Sequence, residues 1–146
     1  MARRAFFSFK YRDVTRAMVV RNSWVTQGKE AAGFIDAANF EKLKKQGDAA
    51  IKRWIDDQLK GTSVTVVLVG SDTCDSRWVK YEIDKSRALE HGLLGIDISK
   101  IKDLRGDTSE RCGKLPTGYP FYLWNNNDGY KNMGTWIEAA ARATAK

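Results

Sequence analysis

Residues 63–70 constrain the fold of this chain more than any other stretch of its sequence. They read Ser-Val-Thr-Val-Val-Leu-Val-Gly, a β-branched run that is apolar at almost every position. A strand with one solvent-exposed face would alternate between apolar and polar residues, whereas a continuous apolar run is typical of a strand that is covered on both faces. The run therefore predicts a central strand of a parallel sheet, with helices packed on each side.

Shorter apolar runs and helical patterns alternate on both sides of this strand, as expected of parallel strands joined by crossover helices. The other predicted strands are residues 4–9, 32–36, 93–98 and 120–124. The predicted helices are residues 13–25, 48–60, 76–91 and 133–146, and residues 37–47 form a polar connection with room for one helical turn. We expect an α/β protein with a five-stranded, mainly parallel, doubly wound sheet of the flavodoxin-like kind.

The chain has the size of one ordinary domain. Its 146 residues are 42% hydrophobic and include only 2 Pro, and no Gly/Ser-rich linker interrupts them. We therefore expect residues 1–146 to form a single domain. Asp13 is expected to cap the first helix, whose predicted buried residues are Val14, Met18, Val19 and Trp24. In the last helix, the predicted inward residues are Trp136, Ile137 and Ala140.

The net charge of +7 raises the question of an anionic partner. The cations are scattered among Asp and Glu, and the densest group is Lys-Leu-Lys-Lys at residues 42–45. No zinc-finger, RNP-type or helix-turn-helix pattern accompanies it. The charge therefore favours a solvated basic face or a phosphate-bearing small ligand over nucleic acid as a partner.

No part of the sequence approaches the roughly 20 consecutive apolar residues that a membrane-spanning helix needs. We expect a cytoplasmic protein without a membrane partner. Because disulfides are rare in that compartment, Cys74 and Cys112 are expected to be two reduced thiols.

The loops that follow the predicted strands lack the motifs of several doubly wound families. The first strand runs into Phe9-Lys10-Tyr11-Arg12, without the acidic pair of a phosphoacceptor domain or the hydroxyl-rich phosphate loop of a flavodoxin. The chain has no Gly-x-Gly-x-x-Gly and no P-loop. His91 is its single histidine and is expected to lie exposed at a helix end, so we expect no Ser-His triad and no metal site.

Three stretches, in this order, instead resemble the boxes of the TIR domain. Residues 6–13, Phe-Phe-Ser-Phe-Lys-Tyr-Arg-Asp, are similar to its first box, an aromatic or apolar strand that ends in Ser and an aromatic residue with Asp downstream. Residues 33–36, Gly-Phe-Ile-Asp, are similar to a shortened second box. In the third stretch the family's Ser, Trp and Glu fall in register at Ser76, Trp78 and Glu82, while Val79 replaces the usual Cys. The chain looks nearest to the TIR-like proteins of bacterial anti-phage defence, the Thoeris sensor type.

The resemblance implies an enzyme that cleaves the nicotinamide–ribose bond of NAD, with Glu82 as its catalytic residue. A single carboxylate suits this reaction, because nicotinamide is cationic before cleavage and leaves neutral, so no general acid is needed. By the same resemblance, the product is a cyclic ADP-ribose isomer that activates a separate effector protein, and the chain forms a homo-oligomer. NAD is then a substrate, and no cofactor is expected. On spacing alone, Glu82 is instead an ordinary surface residue paired with Lys85.

Eight further residues are candidates for substrate binding. Ser8, Phe9 and Lys10, at the end of the first strand, are placed to contact a ribose, a ring and the pyrophosphate. Phe40 is a candidate for stacking on a base and Ser71 for bonding a ribose hydroxyl. Trp78 is either a wall of the pocket or a core anchor. The full set is Phe7, Ser8, Phe9, Lys10, Asp36, Phe40, Ser71 and Trp78.

Two other functions stay open at this point. Many TIR domains only self-associate, so the chain is alternatively a non-catalytic adaptor. The charge of +7 also admits a small nucleotide- or nucleic-acid-binding domain.

Overall fold

A parallel sheet of five strands forms the centre of the molecule in a computed structural model that describes residues 4–27, 31–34 and 37–144. The strands are β1 (Ala5–Ser8), β2 (Ala31–Ala32), β3 (Val64–Val69), β4 (Gly92–Asp97) and β5 (Phe121–Leu123). Their order is β2-β1-β3-β4-β5, and every neighbouring pair is parallel. All residues of β1, β3 and β4 are buried. The predicted flavodoxin-like fold is confirmed.

Five helices cover the two faces of this sheet. They are α1 (Val14–Val25), α2 (Ala37–Gln46), α3 (Asp48–Leu59), α4 (Arg77–Ala88) and α5 (Gly129–Thr144). Because side chains alternate along a strand, Phe7 packs with α1 and α5 in one cluster, while Phe6 packs with α3 in another. Val67 of β3 also faces the second side, where it packs against Val79 of α4.

The region around β2 differs from the prediction. The strand has two residues, because the backbone turns at Gly33 with φ +92° and Phe34 packs beside Phe7 with a ring separation of 5.6 Å. The polar connection at residues 37–47 is a ten-residue helix, α2. The apolar pattern did not predict this helix, because Phe40 and Leu43 are its only large hydrophobic residues.

The predicted buried side of α1 is also wrong, apart from Trp24. Val19 is exposed and Val14 and Met18 are half-buried, whereas the row Ala17, Val20 and Trp24 is buried. This row brings Trp24 edge-on to Phe7, at a ring separation of 6.4 Å.

Asp13 precedes α1 but makes no side-chain capping bond, contrary to the prediction. Its carboxyl group packs on the backbone of Gly70 and is only 3% exposed. Burial raises its pKa, and Oδ2 has no hydrogen-bond partner among the described residues.

The last helix begins four residues before its predicted start, at Gly129, whose backbone lies against the Trp124 ring. Trp136, Ile137 and Ala140 are buried as predicted. None of the helices in the described part of the chain is long and apolar enough to cross a membrane.

Residues 98–120 contain no helix or strand, yet they are fastened to the sheet. The backbone N–H of Cys112 donates to the Gly70 carbonyl at 2.9 Å, and that of Cys74 donates to the Cys112 carbonyl at 2.8 Å. Cys74 and Cys112 form a disulfide with a Cα–Cα distance of 5.2 Å. The expectation of two reduced thiols is therefore wrong, because the fold brings together cysteines that are 38 residues apart in sequence.

Candidate active site

A cavity of about 640 Å³ opens at the carboxyl ends of β1 and β3. The loop after β1, the helices α2 and α3, and the start of α4 surround it. In a sheet of this order, ligands bind where neighbouring strands lead to helices on opposite faces, and β1 and β3 form that point. The volume lies within the range of small-molecule sites.

The structure brings most of the predicted site residues to this cavity. Those that line it are Phe7, Phe9, Lys10, Phe40, Trp78 and Glu82. Ser71 and Ser8 do not line it, although Ser8 forms a hydrogen bond with Glu82. Asp36 lies outside the described residues.

Glu82 is a buried carboxyl group at the edge of the cavity, not an exposed helix residue. Its side chain is 6% exposed, and Ser8 Oγ donates to Glu82 Oε1 at 2.7 Å. Burial raises the pKa of Glu82 to about 8, because water no longer stabilises the charged form, and the Ser8 hydrogen bond opposes that rise.

Local sequence explains why Glu82 faces the sheet. Ser76 caps α4 by accepting a hydrogen bond from the Val79 backbone at 3.2 Å. Val79 is buried against β3, and Glu82 follows one turn later on the same side. Ser86 Oγ donates to the Glu82 carbonyl at 2.7 Å and shares a second hydrogen bond of 2.7 Å with Thr65 of β3. The backbone beneath the carboxyl group is therefore held to the sheet.

Aromatic rings form much of the cavity wall. Tyr11 and Phe40 both line the cavity and stack on each other, with centroids 4.6 Å apart and planes 17° apart. Lys44 Nζ lies 5.3 Å from the centre of the Phe40 ring. Trp78 lines the cavity and also packs against the cluster that contains Phe6, so it is both a wall and a core anchor.

Two arginines at the rim were missed in the sequence. Arg12 pairs with Asp72 at 2.6 Å. Arg77 makes two hydrogen bonds to Asp48, at 3.0 and 2.9 Å. Arg77 lies between the motif residues Ser76 and Trp78. That position was the one feature of the sequence that could have placed Arg77 near the site. With Lys10 and Lys44, these arginines bring four cationic side chains to the cavity lining, which also contains the carboxylates Asp48 and Asp75.

His91 lies away from the cavity and is half-buried, contrary to the expected exposed position. Burial lowers its pKa, and Nδ1 has no hydrogen-bond partner among the described residues. Within those residues, no three His, Cys, Asp or Glu side chains lie close enough to share a metal ion.

Comparison with known proteins covers this whole region. Residues 6–103 match the family model described as "Thoeris protein ThsB, TIR-like domain". The chain is also 43% identical over 139 residues to a Bacillus cereus (strain MSX-D12) protein named "Putative cyclic ADP-D-ribose synthase ThsB1". That alignment covers 93% of this chain and 72% of the relative. The residues matched by the family model include every predicted site residue.

Proposed function

This chain belongs to the Thoeris ThsB family of TIR-like proteins, and from that membership we propose that it cleaves the nicotinamide–ribose bond of NAD. The observation that carries the proposal is Glu82, one buried carboxyl group at the edge of an aromatic cavity that four cationic side chains also line. The name of the Bacillus cereus relative supports a substrate of this class.

Glu82 acts on the ribose side of the bond that breaks. As neutral nicotinamide departs, positive charge develops on the ribose, and the ionised carboxylate stabilises it. The leaving group takes the bonding electron pair into its ring and needs no proton, so a second acidic residue is unnecessary. With a pKa of about 8, Glu82 is largely neutral in the free protein at pH 7. The cationic pyridinium ring of bound NAD favours the ionised form.

The remaining cavity residues supply binding contacts for a dinucleotide. Phe40 and Tyr11, which stack on each other in the free protein, offer ring faces to a base. Lys10, Arg12 and Arg77 face the same space and suit the pyrophosphate, since guanidinium groups bind phosphate oxygens in pairs.

We propose a cyclic ADP-ribose isomer as the product, which then activates a separate effector protein. Cyclisation requires a ribose hydroxyl of the substrate to react before water does. The apolar wall supports this outcome, because bound substrate displaces water from rings such as Phe9, Trp54 and Trp78.

The test is nicotinamide release from NAD, with the products identified by mass spectrometry. We expect release by the wild type, and a loss of about a hundredfold or more in Glu82→Ala, because the charge on the ribose is no longer stabilised. Asp84→Ala is the matched control, since Asp84 is an exposed acidic residue on the same helix.

Equal release from wild type and Glu82→Ala would overturn the role of Glu82. Wild-type protein that releases no nicotinamide, alone or with lysate of phage-infected cells, would favour the non-catalytic adaptor. Assays over a range of protein concentrations allow for the predicted self-association.

A further inference from the structure

Ser8 occupies a position that differs from the predicted ribose contact. It ends β1 on the same side of the sheet as Phe6, the side that α3 and α4 cover. The residue is 0% exposed and does not line the cavity. Among the described residues, the one hydrogen bond of its side chain goes to Glu82 Oε1, at 2.7 Å. A ligand in the cavity would therefore meet Glu82 and not Ser8.

The Ser8 hydroxyl group acts on the charge of Glu82. Burial disfavours the carboxylate, because the charged form loses more hydration than the neutral form. A hydroxyl donor has the opposite effect, since it bonds more strongly to a carboxylate oxygen than to a neutral carboxyl oxygen. No cation lies within ion-pair distance of Glu82 in the described part of the chain. The hydroxyl is thus the group that favours the charged form before substrate arrives.

The same hydrogen bond restricts how the carboxyl group can turn. The Glu82 backbone is held through Ser86 and Thr65 to β3, and its side chain is held through Ser8 to β1. These two strands are neighbours, with Ser8 beside Val67 in register. Because Oε1 accepts the hydrogen bond from Ser8, Oε2 of Glu82 is the oxygen left to contact a substrate.

We propose that Ser8 is a positioning residue, which orients the Glu82 carboxyl group toward the cavity and favours its charged form. This inference rests on the proposed NAD cleavage and extends it to a residue outside the cavity. Through the same hydrogen bond, Ser8 partly offsets the effect of burial and so lowers the pH at which Glu82 ionises. The alternative is that Ser8 only fills space beneath α4.

The first experiment measures kcat/KM for NAD as a function of pH. Wild-type kcat/KM should rise with pH through about 8, as free Glu82 ionises. Ser8→Ala should move this rise upward by about one pH unit, because a hydrogen bond to a charged group is removed. Activity should then fall about tenfold below the midpoint and recover as the pH rises, but stay below the wild-type value, because the carboxyl group is no longer oriented by Ser8. Ser8→Thr keeps the hydroxyl and should stay near the wild-type profile.

Ser86→Ala is the matched control. Ser86 is as buried as Ser8 and also bonds to Glu82, but through the backbone carbonyl. The variant removes a buried hydroxyl without touching the carboxyl group, so its profile should keep the wild-type midpoint. An equal shift in Ser8→Ala and Ser86→Ala, or no shift in either, would show that Ser8 is merely structural.

A second experiment does not depend on turnover. The ¹³C NMR signal of the Glu82 carboxyl carbon is followed against pH, with Glu82→Gln used to assign it. Ser8→Ala should raise the midpoint by about one pH unit. An unchanged midpoint overturns the proposal. A raised midpoint in a protein that releases no nicotinamide would leave the Ser8–Glu82 coupling intact and reject NAD cleavage instead.

Discussion

At the scale of single residues, Glu82 links the cavity to the stability of the protein. Its pKa of about 8 in the folded chain lies above the ordinary value of 4.5. Between pH 4.5 and about pH 8, Glu82 therefore keeps its proton in the folded state and has lost it in the unfolded state. Stability associated with neutral Glu82 is present in full below about pH 4.5 and is lost as pH rises through about 8.

Glu82→Gln should accordingly stabilise the fold in a pH-dependent way. The amide is never charged and its oxygen still accepts from Ser8, so the variant avoids the cost of a buried carboxylate. We expect little difference in Tm from the wild type at about pH 4.5, a gain that grows as the pH rises to about 8, and a constant gain above it. Thermal melts across this range measure it. A gain that is constant with pH would contradict the raised pKa, and Asp84→Asn serves as the exposed control.

The ion pair between Arg77 and Asp48 leads to a second prediction at this scale. Asp48 occupies the Arg77 guanidinium group that we propose binds the pyrophosphate, so Asp48→Asn should lower KM for NAD by about two- to fivefold. Arg77→Ala should raise KM, since it removes the phosphate contact. Both effects are expected mainly in KM, because neither residue touches the bond that breaks.

The control for this pair lies at the other end of α3. Asp57 pairs with Lys60 at 3.5 Å on the surface, away from the cavity. Asp57→Asn should leave KM unchanged. If it changes KM as much as Asp48→Asn does, general charge explains the effect and the specific pair does not.

The positions of residues could be predicted from the sequence where a motif fixed their spacing within one helix. Ser76, Trp78 and Glu82 all lie on or beside α4. Their spacing in the sequence therefore determined their relative positions in space. The partners of these residues come from elsewhere in the chain: Ser8 is 74 residues from Glu82, and Asp48 is 29 residues from Arg77. Such pairs depend on the packing of separate elements, which no local pattern specifies.

At the scale of elements, the Cys74–Cys112 disulfide should contribute substantially to stability. The bridge closes a loop of 38 residues and restricts the unfolded chain. We expect the double variant Cys74→Ser, Cys112→Ser to lose about 2–4 kcal/mol of unfolding free energy. The two backbone hydrogen bonds at Cys112 should keep the same fold.

Urea denaturation with and without reductant checks this expectation. Reductant should destabilise the wild type by a similar amount and leave the double variant unchanged. If reductant has no effect on the wild type, the cysteines are thiols in solution and the original expectation is restored.

Element boundaries followed from the sequence wherever a repeating apolar pattern was strong. β3, α3 and β4 lie within two residues of their predicted limits. The pattern failed for α2, which rests on α3 with few apolar contacts, and for β2, which Gly33 ends. It also could not foresee the disulfide, because residues 98–120 have no periodicity to place them.

At the scale of the whole molecule, the alternation of strands and helices was enough to predict the fold and the end of the sheet that carries the cavity. Parallel strands direct all their carboxyl ends to one edge, so this conclusion needed no side-chain detail. Only the structure shows that four cations share the cavity lining, since Lys10, Arg12, Lys44 and Arg77 come from separate parts of the chain.

The predicted single domain has a consequence for unfolding. Because one sheet joins both core faces, we expect one cooperative transition with the disulfide intact. The fluorescence of the 5 Trp residues and the far-ultraviolet circular dichroism should give the same midpoint in urea. Two separated midpoints would show that the chain unfolds in independent parts.

The bridge between Cys74 and Cys112 makes part of this chain a closed ring, and residues 102–110 lie within it. Leu104, with 91% of its surface exposed, and the neighbouring Arg105 are on the outside of that ring. A trypsin cut after Arg105 would therefore open the ring without releasing a fragment. The nicked protein would travel as one band on a non-reducing gel and as two after reduction. A reporter peptide could also be inserted after Arg105, because the chain on both sides of the insertion is held to the sheet.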